Sequence, residues 1–359
     1  SQAVRLPKEF RFEGDEAVVP SWRCDVDGPA DLVEEVTRIV GYDAIPSTPL
    51  PRASGVARPT ATRSQLIERK VRRAAASRGM DEAVTWSFIG AQEAELFGGT
   101  PHVLANPISE EMKYMRPSLM PGLVAAARRN EDRGATSIRL FEVGRRYLAD
   151  AERPTVGILL AGENSPRSWQ AGKARAFDPF DAKAEVMALL DAAGAPASLQ
   201  LNMGAGETWH PGRSATLGLG KKILAAFGEL HPRVAKALDA PAGTIAAEIY
   251  LDAIPAPRAT ERARTAYSPP PLQAVTRDFA FVVPDDLAAD ALIRAIRGAD
   301  KAVITDARLF DRYQGDQGLS LAFEVTLQPG EKSFTDAEIA EVSKKIVAAA
   351  EKLGATLRG

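Results

Sequence analysis

The stretch TRDFAFVVPDDLAADALIRAIRGADKAVITDARLFDRYQGDQGLSLAFEVTLQPG, residues 276–330, decides the fold of the chain's last part. RDFAFVV (277–283) alternates apolar and polar in strand fashion, and LAADALIRAIRG (287–298) shifts to helical spacing. AVITDARLFDRY (302–313) and LSLAFEVTLQ (319–328) read as two strands joined through the Gly315–Gly318 turn. A final helix is announced by Thr335 as cap with Glu338 three residues later. Ile339, Val342, Ile346, Val347, Ala350 and Leu353 form its apolar stripe, and Gly354 ends it. ATLR (355–358) supplies a short last strand. The order β-α-β-β-α-β is that of a ferredoxin-like unit.

Such a sheet can stack unpaired RNA bases on exposed aromatics. Phe279, Phe281, Phe310, Phe323 and Tyr313 are the candidates, with Arg277 and Asp278 at the strand start and Lys332 before the final helix as further contacts. Alternation puts Phe279 and Phe281 on one face, and the helices must cover one face. Both phenylalanines are therefore equally readable as core.

Outward from this unit, IPAPRATERARTAYSPPPLQAV (254–275) and IPSTPLPRASGVARPTATR (45–63) break the composition and read as linkers. Basic Arg258, Arg262 and Arg264 on the second linker suit phosphate contact. Between the linkers, a helix over 64–78 carries Arg69, Lys70, Arg72 and Arg73 outward and stops at Gly79. EAVTWSF (82–88) reads as a strand with Val84, Trp86 and Phe88 on one side. A helix from Pro121 to Asn130 follows, ending in the basic group Arg128, Arg129 and Arg133. Strands over 137–148 and 155–162, a helix over 177–194 and a strand over 222–230 complete a mixed, largely antiparallel α/β domain. The basic clusters read either as RNA or partner contacts, or as solvated helix faces.

The chain has 359 residues, 45% hydrophobic and 26% charged, so two or three domains with real cores are expected. A net charge of −2 gives no global case for a polyanion partner. One cysteine, Cys24, excludes disulfide scaffolds and cysteine-rich zinc sites; it reads as a small apolar filler. His210 and His231 each precede Pro at turn-and-strand junctions, where a structural role outweighs a metal pair. No apolar run is long enough to span a bilayer, the start lacks the pattern of a signal peptide, and the missing initiator Met suggests a fragment.

In the N-terminal part, Asp31 is expected to cap a helix whose apolar face is Leu32, Val33, Val36, Ile39 and Val40, ended by Gly41. Asp25, Asp31, Glu34 and Glu35 then converge. Four carboxylates repel one another unless a cation sits among them, and oxygen ligands alone select Mg²⁺ or Ca²⁺. The alternative is a capping box of Asp31 and Glu34, with Glu35 facing solvent and Asp25 in a turn.

VPSWRCDVDGPADLVEEVTRIVGYDAIP (19–46) resembles the end of the small domain of bacterial phenylalanyl-tRNA synthetase β chains. NPISEEMKYMRPSLMPGLVAAARRN (106–130), LFEVGRRY (140–147) and FGELHP (227–232) are similar to that family's next domain. YSPPPLQAVTRDFAFVV (267–283), LFDRYQG (309–315) and KSFTDAEI (332–339) are similar to its closing domain. The resemblance implies an α+β multidomain chain: part of a small metal-binding domain (1–46), a linker (47–63), an inactive class II synthetase catalytic-like domain (64–253), a linker (254–266) and a ferredoxin-fold anticodon-binding domain (267–359). It implies a magnesium ion held by Asp25, Asp31, Glu34 and Glu35 and shared with the synthetase α subunit. It also implies a cytoplasmic heterotetramer of two α and two β chains that binds phenylalanine tRNA, with ATP-driven joining of phenylalanine in α and no catalytic residues here. The family's tRNA-binding module, editing domain and start of the small domain are expected to lie outside this sequence.

Class II chemistry grips ATP phosphates with arginines. Arg139, Arg145 and Arg146 stand near the first such position and Arg213 near the second, but no glycine-rich strand leads into Arg213. Two other readings stay open: a stand-alone RNA-binding or scaffold protein, and a phosphoryl-transfer enzyme built on the four carboxylates. The latter has no Gly-rich loop ending in Lys-Ser or Lys-Thr.

Overall fold

The computed structural model describes residues 10–51, 59–256, 268–316 and 318–358, apart from the side chain of Phe12. The chain divides into two compact units, Ser1–Thr60 and Ala61–Gly359. Arg258, Arg262 and Arg264 lie outside the described residues, as does part of each expected linker. No helix among the described residues is long and apolar enough to cross a membrane.

In the first unit, strands β1 (Arg11–Glu13) and β2 (Glu16–Val18) form an antiparallel hairpin and helix α1 (Pro29–Val40) follows. The helix starts earlier than the sequence suggests. Pro29 has no N–H to leave unsatisfied and its φ is preset, so it opens the helix with Gly28 as N-cap. Asp31 therefore sits inside the first turn and reaches back to the Gly28 N–H at 2.9 Å. The expected Asp31–Glu34 capping box is corrected to this single bond, since Gly28 has no side chain to return it. Gly41, at φ +103°, ends the helix where expected. Val33, Ile39 and Val40 of the expected apolar face are exposed, and Cys24 is exposed rather than a core filler.

The second unit begins with α2 (Arg63–Ser77), capped reciprocally by Thr62 and Gln65. Next come β3 (Asp81–Glu82), β4 (Phe88–Ile89), α3 (Ala91–Leu96), β5 (Tyr114–Met115) and α4 (Met120–Glu131). The long strands β6 (Ser137–Tyr147) and β7 (Glu152–Ser165) lead through β8 (Arg175–Ala176) to α5 (Pro179–Ala192). Strands β9 (Gln200–Met203), β10 (Trp209–Leu219) and β11 (Lys222–Leu230), helix α6 (Pro232–Ala237) and β12 (Ile245–Tyr250) finish this part. The sheet order is β3-β6-β7-β12-β11-β10-β9, with β8 on β7, and among the described strands only the β3–β6 pairing is parallel.

Strand alternation loads both faces of this sheet. Phe141, Ile158 and Leu160 point to one side, against Val71 of α2 and Val186 and Leu189 of α5. Leu140 and Leu159 point to the other, against Leu119, Leu123 and Val124 at α4. Each such side chain contributes about 1.5–3 kcal/mol on burial, so both helix layers are firmly attached. The expected strand 82–88 forms only at its ends. Beyond Glu82, only the Ala83 N–H continues the pairing, to the Phe141 carbonyl, and Val84 and Trp86 stay exposed.

The C-terminal part follows its expected order: β13 (Val275–Val283), α7 (Ala289–Ala299), β14 (Ile304–Gly315), β15 (Gly318–Leu327), α8 (Asp336–Glu351) and β16 (Thr356–Leu357). The sheet runs β14-β15-β13-β16, all antiparallel, the arrangement of a ferredoxin fold. Thr335 caps α8, and Glu338 returns the contact to the Thr335 N–H at 2.8 Å, as the sequence indicates.

Candidate RNA-binding face, carboxylate cluster and catalytic-like centre

The register of the C-terminal sheet sorts its candidates. Phe279 lies opposite Phe323 and Phe281 opposite Leu321, all buried with Leu292, Ile296, Val342 and Ile346 from the two helices. Phe279 and Phe281 are thus corrected from base-stacking candidates to core, because the helices cover their face. Arg277 shares their parity, opposite Val325, and reaches solvent only because it lies toward the strand's end.

Among the described residues, no helix of this domain packs on the other face. Tyr313, Ser320, Val282 and Thr356 form one row across four strands, and Asp311, Ala322 and Ala280 form the next. Tyr313 is 53% exposed, and the Arg358 guanidinium lies 5.2 Å from its ring centre. A Cβ on Gly315 would stand 2.6 Å from the Tyr313 ring, so glycine there lets the ring lie down across the strand end. Tyr313, Arg358, Ser320 and Val282 line a polar cleft of about 360 Å³. Small residues in the centre and one aromatic at the edge leave room for a flat ring. Asp278 and Asp311 share this face, and Arg308 there is paired to Glu324 at 3.1 Å. Carboxylates repel phosphate, so the face suits a base rather than a nucleic-acid backbone.

Lys332 sits apart, paired to Glu338 at 3.0 Å at the start of α8. The Thr335 backbone N–H, with Lys332 and the Thr335 hydroxyl, holds the Glu338 carboxyl at about 2.

In the first unit the four expected ligands do not form an ion cage. Arg23 grips Asp25 through Nε at 2.9 Å and through Nη2 at 2.8 Å, and the same Nη2 reaches Glu35 at 2.6 Å. Arg38 takes the second Glu35 oxygen at 2.6 Å. Asp31 accepts from the Asp27 and Gly28 N–H groups at 3.0 and 2.9 Å, and Glu34 is exposed. Hydrogen bonds from Arg23 chiefly lower the Asp25 carboxyl. Those from Arg23 and Arg38 lower Glu35, and backbone N–H bonds lower Asp31. Among the described residues no group of three or more His, Cys, Asp or Glu is placed to hold a metal. The donor set, with Asp25 and Glu35 neutralised by guanidinium groups, does not fit a divalent ion in this arrangement.

The candidate phosphate arginines are occupied as well. Arg139 pairs with Glu185 at 3.1 Å, alongside Arg78, and covers Phe177. Arg145 pairs with Glu68 at 3.0 Å and Arg213 with Glu229 at 2.6 Å. Arg146 donates to Thr155 at 2.9 Å and stacks 4.2 Å over Tyr250, whose hydroxyl burial pushes well above its ordinary value. The histidines serve turns: His210 Nδ1 accepts from the Gly212 N–H and His231 Nδ1 from the Arg233 N–H.

Sequence reasoning missed the most buried polar work. Arg116 Nη2 pairs with Glu142 at 2.8 Å, each side chain 4% exposed, and Thr85 bonds both. Ser118 and the Leu119 N–H both donate to the buried Glu248 carboxylate, at 2.8 and 3.0 Å. The segment RPSLMPG thus clasps β6 and β12. Its signal was available: Glu142 lies between apolar Phe141 and Val143, and Glu248 is the lone acid of an otherwise apolar strand.

Three family models match in order: the tRNA synthetase B5 domain over 9–42, the phenylalanyl tRNA synthetase beta chain CLM domain over 45–251, and the ferredoxin-fold anticodon binding domain over 270–358. The chain belongs to the phenylalanyl-tRNA synthetase β-chain family. It is 57% identical to the phenylalanine–tRNA ligase beta subunit of Novosphingobium aromaticivorans over 355 residues, and 56% identical to that of Zymomonas mobilis over 346. Each match covers 95% of this chain and 44% of the relative, so the chain spans less than half the length of these proteins. A solved pyrrolysyl tRNA synthetase from Desulfitobacterium hafniense aligns at TM-score 0.40 and 19% identity over 52% of this chain and 64% of its own, too distant to place any residue.

Proposed function

We propose that this chain is the non-catalytic docking and RNA-holding portion of a phenylalanine–tRNA ligase β subunit, with the ATP-driven chemistry in a partner α chain. The observation that carries the RNA half is the sheet face opposite the domain's helices, with Tyr313 lying beside Ser320, Val282 and Arg358. An unpaired base of the anticodon loop of phenylalanine tRNA stacks on Tyr313, while Ser320 and Asp278 offer hydrogen-bond partners to base edges. Arg277 and Lys332, both off this face, are left to phosphate contacts at its margins.

The docking half is supported by apolar surface. Thr85 turns inward to Glu142, so its neighbours Val84 and Trp86 face outward, and both are exposed. In the first unit Val33, Val40 and Tyr42 are exposed too. Such residues suit a protein partner. The central domain is read as class II catalytic-like and inactive, supported by the arginines tied to Glu68, Glu185 and Glu229. A cytoplasmic complex of two α and two β chains is the assembly this reading implies. The magnesium expectation becomes a competition, in which an ion at Asp25 and Glu35 has to displace Arg23.

Co-expression with a candidate α chain tests the proposal. A mass matching an α–β complex is expected, with phenylalanine-dependent ATP–pyrophosphate exchange absent from the purified chain. Exchange by the chain alone would refute it, and failure to recover any α chain would favour a stand-alone RNA-binding role.

A further inference from the structure

The tip of the β7–β8 hairpin carries an aromatic that no described residue buries. Glu163 pairs with Ala176 and Ser165 with Arg175 at the hairpin's base. Ser168 and Gly172 then exchange backbone hydrogen bonds of 3.1 and 2.8 Å, and the Ala171 N–H bonds the Ser168 hydroxyl at 2.9 Å. The tip is thereby closed on itself and holds Trp169 outward, 92% exposed. Trp169, Arg167 and Lys173 line an open cleft of about 910 Å³, with Glu163 on its wall. Arg175 is committed to Asp178 and Asp181, whereas Arg167 and Lys173 make no ion pair among the described residues.

We infer that this tip is a second contact for single-stranded RNA, separate from the C-terminal sheet. Trp86 has the exposed, apolar Val84 two residues away, the kind of neighbour found in the apolar centre of a protein interface. The cleft at Trp169 offers instead two cations, one carboxylate, Ser168, Gly172 and Ala174. That combination fits a base on the indole, phosphates on Arg167 and Lys173, and an exocyclic base amine on Glu163. The inference goes beyond the C-terminal assignment and does not depend on it.

The test uses the full chain and a short, unstructured, fluorescein-labelled oligoribonucleotide, titrated in the native and Tyr313→Ala backgrounds. Trp169→Ala should weaken binding about five-fold or more in both backgrounds, from at least ~1 kcal/mol per stacked base. Trp169→Phe should recover most of the loss, and Arg167→Glu with Lys173→Glu should flatten the salt dependence. Unchanged affinity of Trp169→Ala in both backgrounds would overturn the inference. So would an equal loss of inorganic polyphosphate binding, since that ligand cannot stack, or unchanged RNA affinity with loss of a co-purifying protein, which would make the tip a protein contact.

Discussion

Replacing Tyr313 with Ala isolates the base-stacking reading. One face of the ring is occupied by Arg358 at 5.2 Å and its lower edge lies against Gly315, so a single base can stack. Removing one base–aromatic stack costs about 1–3 kcal/mol, a loss of roughly 5- to 150-fold in affinity. The lower half of that range is expected, because the Arg358 guanidinium remains to cover the base. Fluorescence anisotropy of an anticodon stem-loop of phenylalanine tRNA, repeated across salt concentrations, gives both affinity and slope. The slope should not change, since no phosphate contact is lost. Tyr313 is half exposed, so the melting temperature should hold. Affinity unchanged within two-fold, or a loss matched by a shallower salt slope, would refute the stacking geometry. Phe281→Ala is the contrast: that ring is fully buried, and its loss should cost about 3–5 kcal/mol of stability, seen in urea unfolding.

Arg116→Met keeps the side-chain stem but leaves Glu142 buried without its cation, and should cost about 3–5 kcal/mol in urea unfolding; a cost under ~1 kcal/mol would mean water reaches Glu142. The Glu338 carboxyl should titrate near 2 by NMR rather than at its ordinary 4.5, and Lys332→Ala should raise it. Because the folded value is depressed, its stabilisation is complete above about pH 4.5 and disappears as pH falls through about 2; a midpoint near 4.5 would contradict the capping geometry. Calorimetric titration with Mg²⁺ should show weak binding to the native chain and tighter binding to Arg23→Gln, which frees Asp25 and one Glu35 oxygen while Arg38 keeps the other. Equal binding by both would show that Arg23 is no competitor.

What the sequence made legible was local. The C-terminal domain was readable because each strand alternates cleanly and α8 declares its cap in Thr335 and Glu338. The N-terminus of α1 was misplaced because Asp31 is a good cap by residue type, and only the chain geometry shows Pro29 taking the first turn. Strand β10 was hidden by its bulge and by the His210-Pro211-Gly212 turn residues within it, so its pairing to β9 and β11 became visible only across the sheet. Of the four N-terminal carboxylates, Asp25 and Glu35 meet on Arg23, a cation that sequence spacing gave no reason to prefer over a metal. On the RNA face, alternation could pair Phe279 with Phe281 but could not say which face the helices take. That depends on packing between distant segments.

The most direct test of the central claim is the affinity of the chain for phenylalanine tRNA, measured against the same tRNA with its anticodon-loop bases made abasic. Retained backbone charge keeps the electrostatic contribution constant, so the difference reads base contacts alone. The account predicts at least about five-fold tighter binding of the intact loop, with the difference clearly reduced by Tyr313→Ala. Equal affinity for the two RNAs would contradict it.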